Sequence, residues 1–114
     1  MTPTAEDVLD LLSDDLVSRS WVEVCIKNSG CPESSRSVRE REVLEELLLS
    51  GKVEIGETEE ARPDYLAFIA WNGAVPDRVS RALRRVDALT GWDRDFAYWL
   101  CLRENVDRYE DQTA

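Results

Sequence analysis

Apolar positions along the chain change their spacing several times, and each change predicts an element. Val8, Leu9, Leu11, Leu12 and Leu16 recur at helical intervals behind Thr2-Pro3, where threonine can cap and proline suits the first helical position. Ser13-Asp14-Asp15 predicts the cap of a second helix. Its Val17, Trp21, Val24 and Cys25 stand at i, i+4, i+7 and i+8 and would form a buried face. The β-branched content of residues 21–26 also permits a strand. Residues 28–32 are a loop by composition. Ser37 and Glu40 have the spacing of a capping box, with Ser34 or Ser35 as an earlier start. Val38, Val43, Leu44, Leu47 and Leu48 then make an apolar stripe that ends at Gly51, a candidate left-handed cap.

Beyond Gly51 the period shortens to two. Residues 52–56 predict a strand, 57–63 a polar connector, and 65–71 a second strand stopped by Asn72-Gly73. Pro76 opens a helix with Val79, Ala82, Leu83 and Val86 on one face, ending at Gly91. Residues 96–102 fit a strand or a helix; their shortness, aromatic content and closely preceding helix favour a strand. The predicted fold is α+β: one small domain over residues 1–104, helices packed on a short antiparallel sheet, then a polar tail over 105–114. Three helices followed by two strands is also the local order of a winged helix-turn-helix.

Composition narrows the function. The chain has 114 residues, 24 acidic side chains against 14 basic ones, a net charge of −10 and no histidine. One domain suits that length, and 43% hydrophobic residues with four tryptophans support a folded core. The charge argues against nucleic-acid and anionic-membrane binding, both of which need a cationic surface. Without histidine, the commonest general base and the commonest zinc ligand are missing. The acidic start lacks a signal-peptide pattern and no apolar run reaches the ~20 residues of a membrane span. Three cysteines cannot form a complete disulfide set. Cys25 and Cys101 lie in apolar stretches as buried thiols, and Cys31 in the loop as the exposed one. The expected compartment is the cytoplasm.

Motifs for chemistry are wanting. The five glycines are scattered, so no phosphate loop assembles, and cysteine spacing does not suit a metal. The expectation is no cofactor, no metal, no catalytic residues and no enzymatic activity. Carboxylates are plentiful: Glu57, Glu59, Glu60 and Asp64 crowd the predicted connector, while Asp93 and Asp95 follow a predicted turn at Gly91-Trp92. Arg36, Arg39 and Arg41 sit where a winged helix reads DNA, but Glu40, Glu42, Glu45 and Glu46 interleave with them as ion-pair partners. Arg78, Arg81, Arg84 and Arg85 share a face of the fourth helix with only Asp77 and Asp87 nearby in sequence, so an acidic partner or an intramolecular acidic segment would sit against them. Trp21, Trp71 and Trp99 fall in apolar patterns and read as core. Trp92, between Gly91 and Asp93, reads either as a core cap or as an interface anchor.

The stretch Val43-Leu44-Glu45-Glu46-Leu47-Leu48-Leu49-Ser50-Gly51-Lys52-Val53-Glu54-Ile55-Gly56-Glu57 is a helix ending in Leu-Leu-x-x-Gly followed by a strand ending in Ile-Gly-Glu. With Phe68-Ile69-Ala70-Trp71, the arginine helix and Tyr98-Trp99-Leu100, it resembles small bacterial immunity proteins encoded beside secreted toxins. The likeness spans roughly residues 40–102 and carries over no functional residue. It implies a non-enzymatic, acidic binding protein that neutralises a cognate toxin or another protein with a basic surface. Glu57, Glu59, Glu60, Asp64, Asp93 and Asp95 are the candidate contact acids, with Trp92 as anchor. The alternative is a winged-helix DNA-binding regulator using Arg36, Arg39 and Arg41.

Overall fold

A computed structural model describes residues 1–62 and 65–109. Helix α1 spans Pro3–Leu12, and the Thr2 hydroxyl accepts from the Ala5 amide to cap it, as Thr2-Pro3 predicts. The next element is not a helix capped at residues 13–15. Val17–Ser18 form a short strand, β1, and helix α2 covers Arg19–Asn28. This late start rotates the helix: Val22, Cys25 and Ile26 are buried, while Trp21 is 53% and Val24 40% exposed. Trp21 is therefore a surface residue, against the expectation of core.

A 3₁₀ turn at Glu33–Ser35 leads into α3, Arg36–Leu49. The earlier serine start holds, and the Ser37–Glu40 capping box does not form, because Glu40 is buried among other partners. Val43, Leu44, Leu47 and Leu48 are buried as predicted, but Val38 is 60% exposed. Gly51 has φ +75° and closes the helix in the left-handed region where glycine is unstrained.

Strand β2 runs from Val53 to Arg62, so residues 57–62 of the predicted connector are the outer half of a long strand, and Pro63 lies outside the described residues. Strand β3, Tyr65–Ala70, returns antiparallel to it, with Gly56 opposite Ala70 and Glu59 opposite Ala67. Helix α4 covers Val75–Ala88 with Pro76 in its first turn. The predicted turn at Gly91-Trp92 is a short helix, α5, at Gly91–Asp95. Strand β4 is confined to Trp99–Leu102, and a 3₁₀ helix over Arg103–Tyr109 occupies part of the stretch expected as tail.

The sheet order is β1-β4-β2-β3, all antiparallel, so the α+β class is correct. The winged-helix order of elements persists as far as β3, but β4 stands between β1 and β2 and two further helices follow the hairpin. Alternation along the strands separates two faces. Val17, Val53, Ile55 and Leu100 turn towards the helices and join Val8, Leu12, Ile26, Leu44, Leu47 and Val79 in the main core. Each such side chain contributes about 1.5–3 kcal/mol on burial. Cys101 and Phe68 turn the other way and are buried outside that cluster, on the side where the Arg103–Tyr109 helix contacts β2, β3 and β4.

Candidate partner-binding surface

Among the described residues, the most exposed large apolar side chain is Trp92, at 75%. It projects from α5 above a run of rings: its centroid lies 4.9 Å from Phe96, which stacks at 5.5 Å on Trp99 of β4. The last two are half-buried, so a rigid aromatic base supports an open indole. Asp93 is exposed beside it and Asp95 is half-buried one step further along α5. The core-cap reading of Trp92 is thus replaced by an open one.

The other candidate acids lie on β2. Glu57 faces the helices, half-buried, with its carboxylate 3.9 Å from the Arg85 guanidinium. Arg85 Nε in turn donates to the Ala97 carbonyl at 2.6 Å, directly after Phe96, so Arg85 ties Glu57 to the aromatic run. Glu59 and Glu60 are exposed further out on β2, beyond Gly56, the last residue that β4 pairs. Asp64 lies outside the described residues. Trp92, Asp93 and Asp95 therefore share α5, Glu57 is tied through Arg85 to the carbonyl that follows Phe96, and Glu59 and Glu60 stand apart on the hairpin arm.

The arginine face of α4 does meet intramolecular acids. Arg78 pairs with Glu54 at 3.0 Å and Arg85 with Glu57, while the Arg81 guanidinium sits 4.2 Å over the Trp71 ring. On α3, Arg39 pairs with Glu42 and Arg41 with Glu45 at the exposed surface, an arrangement worth a few tenths of a kcal/mol each.

Sequence reading missed the centre of the neighbouring cleft. A cavity of about 760 Å³ opens between α2, α3, α4 and α5, and Asp95, Arg94, Asp87, Arg36 and Val38 line it. Its floor is a buried charge network. Both Glu40 oxygens accept from Arg19, at 3.1 and 3.2 Å, and Oε2 also accepts the Tyr98 hydroxyl at 2.7 Å. Arg19 donates its remaining fork to Glu23 at 2.9 Å, and Lys27 closes the chain onto Glu23. Arg19, Glu40 and Tyr98 are 6%, 5% and 0% exposed, so every polar atom in this site depends on its neighbours. A signal was present: Glu40 falls in step with Val43, Leu44 and Leu47, and Arg19 with Val22 and Ile26, so each charge sits on an apolar helix face.

These surroundings set the ionisation of the network. Burial and then the adjacent Glu40 charge push the Tyr98 phenol well above its ordinary range. Burial pulls against the Arg19 guanidinium, but the Glu40 hydrogen bond and charge outweigh it and leave Arg19 more basic than usual. At Glu23, burial is outweighed by the bond from Lys27 and the Arg19 charge, which hold the carboxyl below its usual value.

On the opposite sheet face, burial and then Glu54 raise the Cys101 thiol from 9.0 to about 11. A raised acid group stabilises the fold fully below its unfolded value and loses that contribution as pH climbs through the folded one. Stability should therefore fall between about pH 9 and 11. Urea midpoints measured across this range should drop less in Cys101→Ala than in the parent; equal slopes would refute the assignment.

Among the described residues, no group of three or more His, Cys, Asp or Glu side chains is arranged to hold a metal ion, and no helix is long and apolar enough to cross a membrane. Comparison with protein-family models, curated proteins and solved structures finds no match to this chain.

Proposed function

We propose that this chain is a non-enzymatic acidic binding protein of the cytoplasm that neutralises a partner protein bearing a basic surface, as the immunity protein of a secreted bacterial toxin does. The observation that carries the reading is the open Trp92 on its base of Phe96 and Trp99, flanked by Asp93 and Asp95 in a chain of net charge −10. A rigid aromatic anchor gives an interface its central contact, and surrounding acids steer a cationic partner towards it. Glu59 and Glu60 extend the acidic field along the hairpin arm.

The test is calorimetric titration against a toxin encoded by the adjacent gene, together with protection of cells that express it. Trp92→Ala should weaken binding about 30-fold or more, the range of an interface hot spot. Asp93→Asn with Asp95→Asn should slow association at low salt and flatten its salt dependence. Absence of a complex, or full affinity in Trp92→Ala, would sink the reading.

The second reading, a winged-helix DNA-binding regulator, draws on the element order through β3 and on Arg36, Arg39 and Arg41 at the start of α3. It ranks lower because Arg39 and Arg41 are already paired with Glu42 and Glu45. It requires salt-steep duplex binding that the three Arg→Ala changes abolish.

A further inference from the structure

Strand β3 forms one outer edge of the sheet, and its sequence is Tyr-Leu-Ala-Phe-Ile-Ala. The edge at the other end, β1, is only two residues long. Natural edges of this length are blunted by lysine, proline or a bulge, and residues 66–70 contain none of these. The Trp71 amide donates to the Ile55 carbonyl, which fixes the direction of every backbone group along the strand. In the antiparallel ladder, Ile69 and Ala67 share the inward sense of Trp71, whereas Leu66, Phe68 and Ala70 turn their N–H and C=O groups outward. Among the described residues, no backbone group of another element pairs with those outward groups. The Phe68 side chain is packed at 4% exposure, so the strand is held firmly, while Leu66 and Ile69 remain 45% and 39% exposed on its two faces.

We infer that β3 pairs with β3 of a second copy of this chain, antiparallel about a two-fold axis at Phe68, to make a continuous eight-stranded sheet from two four-stranded ones. In that register Phe68 meets Phe68 of the second copy and Leu66 meets Ala70, giving about six backbone hydrogen bonds. The pairing is self-complementary because residues 66–70, all five uncharged, face their own counterparts in a chain that is 33% charged. A cationic partner strand would find no acid on β3 itself. The two copies' β2 strands, with Glu57, Glu59 and Glu60, stand three ladder spacings apart, about 14 Å. That exceeds the ~8 Å screening length at physiological salt, so net repulsion between the copies is damped. Strand pairing alone covers less than the ~1,200 Å² of a stable complex, so the dimer is a weak one.

Sedimentation equilibrium of the purified chain from 10 μM to 1 mM tests this directly. The expected result is a monomer–dimer equilibrium that tightens between 50 and 500 mM NaCl, as for an uncharged interface between like-charged bodies. Leu66→Pro and Ala70→Pro each remove an outward amide without touching the β2 ladder, and should weaken the dimer tenfold or more. Hydrogen exchange on the parent protein gives a readout free of folding defects: the Leu66, Phe68 and Ala70 amides should gain protection as concentration rises. A monomer throughout the range would overturn the inference. So would a dimer whose β3 amides stay unprotected, or one that loosens with salt or dissociates only in Trp92→Ala.

Discussion

Glu40→Ala should lower the free energy of unfolding by about 3–5 kcal/mol, the usual cost of removing one member of a buried ion pair. The change strips two hydrogen bonds from Arg19 and one from Tyr98. Arg19 is left with a buried positive charge that, among the described residues, only Glu23 on the rim still meets. The Tyr98 hydroxyl, fully buried, loses its only acceptor among the described residues. Glu40→Gln keeps an acceptor for Tyr98 while removing the charge, so its loss should be smaller. Urea unfolding followed by tryptophan fluorescence measures both variants. A loss under about 1 kcal/mol for Glu40→Ala would mean that the network tolerates a missing centre.

Gly56→Ala is expected to be nearly as severe, for a steric reason. Gly56 sits where the sheet is densest, opposite Ala70 of β3 and opposite Trp99 of β4. A Cβ there would collide with the Ile69 carbonyl oxygen, and stand 2.8 Å from its carbon and 2.9 Å from the Ala70 Cα. All three are backbone atoms, so no side-chain rotation relieves the contact. Either β2 parts from β3 or the ladder shifts, at a cost of about 3 kcal/mol. Thermal unfolding should show the loss, and a melting temperature within 1–2 °C of the parent would contradict the geometry. Gly51→Ala, at an open position with φ +75°, is the useful contrast: its strain is local to a helix end.

Much of this fold was legible because local signals agreed with their surroundings. Thr2-Pro3, Gly51 and Pro76 punctuate helices by their own backbone chemistry, and tertiary packing did not contradict them. The outer half of β2 was illegible for a physical reason. Residues 57–60 extend past Gly56, the last residue that β4 pairs, and are half-buried or exposed without the alternation that burial imposes on a strand. Trp21 misled in the opposite sense. Its spacing from Val17 assumed one helix, but Val17 belongs to β1 and the face that is buried starts from Val22.

The candidate surface was read only in part. An aromatic beside two acids in a short polar stretch marked Trp92, but its support by Phe96 and Trp99 depends on a helical turn no local pattern announced. The floor of the cleft joins residues 21 and 58 positions apart, and distance in sequence conceals such pairing. What was visible was the oddity of a charged side chain in step with leucines. That oddity indicates a buried partner before the partner can be named.

The place of β4 bears on how the chain reaches this state. The strand that lies inside the sheet is made after both strands it separates, so β1 and β2 wait for it with their inner edges open. Helices α1, α2 and α3 can form and meet first, since their contacts are close in sequence, but the sheet cannot assemble outward from the β2–β3 hairpin until Trp99–Leu102 arrives. Folding should therefore be slow for a chain this small, because Val17 and Ile55 find their β4 partner only when the last strand has been made. During synthesis the unpaired inner edges of β1 and β2 are open to other chains until that strand emerges.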